Sequence, residues 1–85
     1  MPYTVRLSTS AERELSRLER IDQRRIVNSL RRLEAEPHFG PGVRKLVGME
    51  GYRLRVGDFR ILYEIREQEV IVLVVRIGHR REVYR

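Results

Sequence analysis

Between Tyr52 and Ile65 the chain alternates around a Gly-Asp pair, and this pattern admits little other than a tight β-hairpin. Glycine at the first central position is the signal of a two-residue type II′ turn, whose twist matches that of the flanking strands. With Gly57-Asp58 as the turn, Val56 pairs with Phe59, Arg55 with Arg60, Leu54 with Ile61 and Tyr52 with Tyr63. The apolar partners then share one face, which must be the core face. The other face carries Arg53, Arg55 and Arg60, with Arg55 and Arg60 directly opposite. Like charges at such a position destabilise a sheet, and a bound anion is the natural compensation.

The rest of the chain supplies what covers that hairpin. Tyr3, Val5 and Leu7 alternate with Thr4, Arg6 and Ser8, which predicts a first strand with one buried face. Thr9-Ser10-Ala11-Glu12 has the capping-box spacing, with Thr9 as N-cap and Glu12 reaching back. The helix it opens carries Ala11, Leu15 and Leu18 on one stripe and ends near Arg20. Asp22 is placed to cap a second helix with Ile26, Val27, Leu30 and Leu33 as its apolar stripe, ending at Glu36 before Pro37. Residues 37–51 are the least regular stretch, with Arg44-Lys45-Leu46-Val47 readable as a short strand or a loop. A turn near Glu67-Gln68 leads into the apolar run that begins at Val70 and extends to Ile77, expected to be a central strand covered on both faces. The fold class is therefore α+β, β-α-α-β-β-β, a two-helix hairpin packed on one face of a small, mostly antiparallel sheet. Residues 1–85 are expected to form a single domain.

Charge narrows the partners. The 85 residues carry a formal net charge of +6, and of 18 basic residues only Lys45 is a lysine. Residues 9–36 are near balance, with seven arginines against six acids, whereas residues 43–85 hold ten basic residues against six acids. The excess thus lies on the half with the facing arginines, which points to a polyanion. Arginine's planar fork suits bidentate contact with phosphate. With no cysteine, disulfides and thiolate chemistry are excluded. No apolar run is long enough to span a bilayer, and Met1-Pro2-Tyr3-Thr4 does not resemble a signal peptide, so a cytoplasmic protein with no membrane partner is expected. The only aspartates are Asp22 and Asp58, a cap and a turn, so the carboxylate cluster of a metal-dependent nuclease is missing. No cofactor is expected.

In an antiparallel meander the end of the last strand lies beside the Gly57-Asp58 turn. His79, Arg80 and Tyr84 are then expected at one rim with Arg53, Arg55 and Arg60, a cationic patch with an aromatic ring and an imidazole. Such a patch can hold a phosphate, stack a base and stabilise charge on a phosphorane. These residues alone lead to a basic, nucleic-acid-directed surface and no further.

The chain also resembles the RelE/ParE superfamily of toxins. The likeness runs from Tyr3-Thr4-Val5 to Tyr84 and is sharpest in Lys45-Leu46, in Tyr52 to Ile65, and in Ile77-Gly78-His79-Arg80-Arg81-Glu82-Val83-Tyr84. It implies the RelE-like microbial RNase fold and, on the RelE-like branch, a ribosome-dependent mRNA endoribonuclease that cuts in the A site. The implied chemistry is 2′-hydroxyl attack on the adjacent phosphate, without a metal, which inhibits translation. By position, Arg60 and Arg80 match arginines that hold the scissile phosphate, and Tyr84 matches a tyrosine that orients the substrate. Arg53, Arg55, Lys45 and Arg81 are the accompanying phosphate-binding residues. The resemblance also implies a cognate antitoxin, bound in a hetero-oligomer.

Arg53 and Arg55 stand where the best-studied branch has lysines. Arginine stays protonated, so these two are expected to clamp rather than to transfer protons. Histidine is the side chain that ordinarily changes charge near neutrality, so His79 then becomes a candidate for general acid–base work. Two other readings remain open: a ParE-like inhibitor of DNA gyrase, and an RNA-binding module without activity.

Overall fold

A computed structural model describes residues 2–79 and Val83. The hairpin forms in the register its alternation demands. Strand β3 (Tyr52–Val56) and strand β4 (Phe59–Arg66) pair antiparallel with Val56 opposite Phe59, Arg55 opposite Arg60, Leu54 opposite Ile61 and Tyr52 opposite Tyr63. Gly57 has φ 58°. Asp58 is not in the left-handed region, where Val70 is the one described non-glycine residue, so the turn is of the II′ kind.

Around it, strand β1 (Thr4–Leu7), strand β2 (Val43–Lys45) and strand β5 (Ile71–His79) complete a five-stranded sheet in the order β1-β5-β4-β3-β2. The pairing is antiparallel except between β1 and β5, which run parallel. The ambiguous stretch after residue 42 thus contains a three-residue edge strand. β5 is central, as its apolar run predicts, but the helices cover only one of its faces. Val72, Val74 and Ile77 are buried, whereas Ile71, Leu73 and Val75 are half-buried.

Helix α1 (Thr9–Ser16) and helix α2 (Arg20–Ala35) pack on the core face. Ser8, not Thr9, is the N-cap of α1. Its backbone is extended, its N–H still bonds Val74 O at 2.8 Å, and its Oγ accepts the Ala11 N–H at 3.0 Å. The residue that ends the β1 ladder therefore begins the helix, one position earlier than the capping-box spacing suggests. α1 also stops at Ser16, leaving Leu18 in the connection. Asp22 lies in the first turn of α2 rather than at its cap, which is Glu19 without a side-chain bond. There the carboxylate still favours the positive end of the helix dipole. α2 ends before Pro37 as expected. Ile26, Leu30 and Leu33 meet Leu54, Ile61, Val72, Val74 and Ile77 in the core, each such side chain contributing about 1.5–3 kcal/mol. Val27, on the predicted stripe, lies at its edge and is 37% exposed.

Candidate nucleic-acid interface

Because successive side chains on a strand point to opposite faces, the pairing register sorts every candidate. Two adjacent rows cross the face away from the helices. One runs Arg44, Arg53, Leu62, Arg76 across β2, β3, β4 and β5; the other runs Arg55, Arg60, Gly78 across β3, β4 and β5. Five arginines thus share one surface around the buried Leu62.

They are not equivalent. Arg44 and Arg55 are exposed, Arg53 and Arg76 half-buried, and Arg60 is buried at 7% exposure. Its Nη1 donates to Gly57 O at 3.2 Å and to Phe59 O at 3.0 Å. The guanidinium is therefore braced by the turn that the Gly-Asp pair creates. Arg76 donates from Nε to Glu14 Oε2 at 3.0 Å, while Glu14 Oε1 accepts the Ile77 N–H at 2.9 Å. α1 is thereby tied to the edge of β5 beyond its pairing with β1. Arg53 Nε is enclosed and meets no hydrogen-bond acceptor among the described residues. A buried unsatisfied donor is costly, about 1–3 kcal/mol, and an anionic oxygen on this face would relieve it.

Two candidates fall elsewhere. His79 pairs with Phe59, so it shares the helix-side face; its ring lies 4.6 Å from the Phe59 ring, centroid to centroid. It lines a cleft with Arg17, Leu18, Glu19, Asp22, Arg25 and Asp58. The end of β5 does reach the turn, but alternation sends His79 away from Arg55 and Arg60. Lys45 pairs with Tyr52 and has the same parity as the core residues, lining a groove with Glu50, Glu64 and Glu67. Its neighbour Arg44 belongs to the arginine row instead. That was readable only once the β2 register was known.

Arg80, Arg81 and Tyr84 lie outside the described residues. Val83 is described and buried. Its Cγ1 is 3.0 Å from where a Cβ on Gly78 would stand, and its N–H reaches His79 O at 3.3 Å. Since Gly78 stands in the row of Arg55 and Arg60, Val83 packs over Gly78 on the arginine face.

A family model described as the ParE toxin of type II toxin-antitoxin system, parDE, matches residues 5–84. Toxin RelG of Mycobacterium tuberculosis is 38% identical over 88 residues, covering 100% of this chain and 99% of RelG. The chain belongs to the RelE/ParE family of toxins. Among solved structures, the toxin-antitoxin complex RelBE2 of M. tuberculosis matches with a TM-score of 0.80 at 31% identity, over 94% of this chain and 100% of that one. The archaeal RelE-RelB complex of Pyrococcus horikoshii matches with a TM-score of 0.80 at 27% identity, over 98% and 100%. These likenesses place the toxin on the RelE-like branch of the family, with a toxin's role in a toxin–antitoxin system.

Proposed function

We propose that this toxin is a ribosome-dependent, metal-independent mRNA endoribonuclease that cuts in the A site and so stops translation in the cytoplasm. The observation that carries the reading is the pair of arginine rows, with Arg60 braced by two backbone carbonyls at the turn. A guanidinium held before substrate arrives loses little freedom when charge develops on the phosphate, which is the condition for electrostatic catalysis. In the reaction the 2′-oxygen forms a bond to phosphorus and the bond from phosphorus to the 5′-oxygen breaks. The 2′-hydroxyl proton passes to a base, a proton passes to the leaving 5′-oxygen, and a 2′,3′-cyclic phosphate remains. Arg60 and Arg80 hold the phosphate through this step. Arg53, Arg55 and Arg81 clamp the flanking backbone, and Tyr84 orients the nucleotide. Arg44 and Arg76 extend the same surface, whereas Lys45 is peripheral to it.

RelBE2 and the archaeal RelE were solved as complexes with antitoxins. A cognate antitoxin is accordingly the proposed partner of this toxin, and it would compete with RNA if it covers the arginine face.

The test is purified toxin on mRNA-programmed ribosomes with an empty A site, with cut ends mapped by primer extension. Arg60→Ala is expected to lower the rate by about 10²–10³-fold, the cost of removing one transition-state donor, and Arg80→Ala and Tyr84→Phe to weaken cutting at the same positions. The parDE description of the matching family model favours a second reading, a protein-binding inhibitor of DNA gyrase. Folded toxin that leaves mRNA intact but blocks gyrase supercoiling would establish that reading instead.

A further inference from the structure

At the end of the sheet away from the Gly57-Asp58 turn, half-buried His38 stands between two carboxylates from distant parts of the chain. Its Nδ1 lies 2.9 Å from Glu36 Oε2, at the C-terminal end of α2, and its Nε2 lies 2.5 Å from Glu67 Oε1, in the turn between β4 and β5. Glu36 Oε2 also accepts the His38 backbone N–H at 2.9 Å, and the Tyr3 hydroxyl donates to Glu67 Oε2 at 2.8 Å. The rings of Tyr3, Phe39 and Tyr52 surround the imidazole, each 6.1 Å away between centroids. The titratable groups facing His38 are thus Glu36 from the C-cap of α2, Glu67 from the turn, Tyr3 from just before β1 and Tyr52 from β3.

Ionised carboxylates only accept hydrogen bonds, and a neutral imidazole has one N–H and one lone pair. Both contacts are satisfied together only by an imidazolium. Since each ring nitrogen meets a different carboxylate, the arrangement is bridged by protons. We propose that His38 is a proton-operated clasp that fastens the segment after α2 to the β4–β5 turn and loses one of its two ties when it deprotonates. The hydrogen bonds to Glu67 and Glu36 raise the His38 pKa above 6.5, outweighing its partial burial.

What the clasp holds reaches the arginine face. From His38 the chain passes Gly40, whose carbonyl accepts the Val43 N–H at 3.0 Å, and then Gly42, whose carbonyl accepts the Arg55 N–H at 3.0 Å. Release at His38 therefore loosens edge strand β2 and the backbone of Arg55. This inference is independent of the nuclease reading, because it is tested on free toxin without RNA.

The test is an NMR titration of the ring nitrogens from about pH 5 to about pH 9, bracketing an ordinary histidine, with amide exchange measured on the same samples. The His38 signals are identified by their loss in His38→Gln. Expected are two protonated ring nitrogens at the acid end, a midpoint above 6.5, and a lower midpoint in Glu67→Gln. Protection factors for the His38, Val43 and Arg55 amides, the ones hydrogen-bonded along this path, should fall by about threefold or more across that midpoint. A midpoint at or below 6.5, one unmoved by Glu67→Gln, or protection that does not change across it would overturn the proposal. Should His38→Gln fail to fold, Glu67→Gln and the native titration still decide it.

Discussion

Gly78→Ala is the substitution whose outcome tests most of the site's architecture at once. Gly78 faces Arg60 across the ladder, and Val83 Cγ1 lies 3.0 Å from the position of the new methyl. Gly78 has no left-handed φ, so alanine brings no backbone strain and by itself gains about 0.4–1 kcal/mol from a stiffer unfolded chain. The methyl also overpacks the contact with Val83, at about 1–3 kcal/mol. The net expectation is a loss of about 1 kcal/mol. Val83→Ala removes two buried methyls and costs about 1.5 kcal/mol. In the double variant the new methyl enters space that Val83 has vacated, so its cost should be only about 1 kcal/mol rather than the summed ~2.5. Urea unfolding followed by circular dichroism reads all three, with the slope checked for constancy. Strictly additive losses, or a Gly78→Ala protein more stable than the native one, would mean that Val83 does not press on Gly78. In the proposed nuclease, Gly78→Ala should also lower cleavage at temperatures where it is fully folded, because Tyr84 directly follows Val83 in the chain and Arg80 precedes it by three positions.

Glu14→Ala strands both Arg76 Nε and the Ile77 N–H and should cost about 1–2 kcal/mol. Glu14→Gln keeps an acceptor for Ile77 and should cost less; equal losses in a thermal melt would refute the division of labour between the two oxygens. Gly57→Ala forces a left-handed residue at φ 58° and should destabilise by about 1 kcal/mol. The added methyl meets only the movable Arg25 guanidinium, 2.9 Å away, so Arg25→Ala should rescue little. Stability should also depend on pH through the clasp. The raised His38 pKa contributes stability that is complete below 6.5 and lost as pH rises through the folded value. Glu36 and Glu67, lowered chiefly by hydrogen bonds from His38, contribute stability present above 4.5 and lost on acidification. The clasp is thus strongest between 4.5 and 6.5. The urea midpoint of His38→Gln should fall less on the alkaline side than that of the native toxin, and parallel curves would refute the assignment.

The hairpin was legible because its signal is local: a period of two, a glycine where φ must be positive, and apolar partners that agree about one face. That was enough to place Arg53, Arg55 and Arg60 on a common surface. It did not suffice for His79, since nearness to a strand end says nothing about the face, which follows from the pairing with Phe59 and from the irregularity between Leu62 and Tyr63. The N-cap of α1 moved to Ser8 because its N–H remains committed to Val74, a partner far away in sequence. Glu14 with Ile77 and His38 with Glu67 are separated by 63 and 29 residues. No spacing rule reports such pairs, so the sequence could show neither the brace under β5 nor the clasp.

The arginine rows impose a demand on the proposed chemistry. They supply positive charge but, being permanently protonated, no proton acceptor, and the two rows contain neither a carboxylate nor an imidazole. They can lower the barrier only by stabilising charge, and the 2′-hydroxyl proton must leave by another route. His79 is the least favoured acceptor, since it stacks near Phe59 on the helix side of the sheet. In the proposed nuclease that leaves Tyr84 or a ribosomal group to take the proton. With cleavage on mRNA-programmed ribosomes measured against pH, His79→Gln should therefore preserve both the rate and the shape of the profile, whereas Tyr84→Phe should change the alkaline limb. An inflexion near neutrality that disappears in His79→Gln would show that the imidazole reaches the RNA, and would refute a site confined to the arginine face.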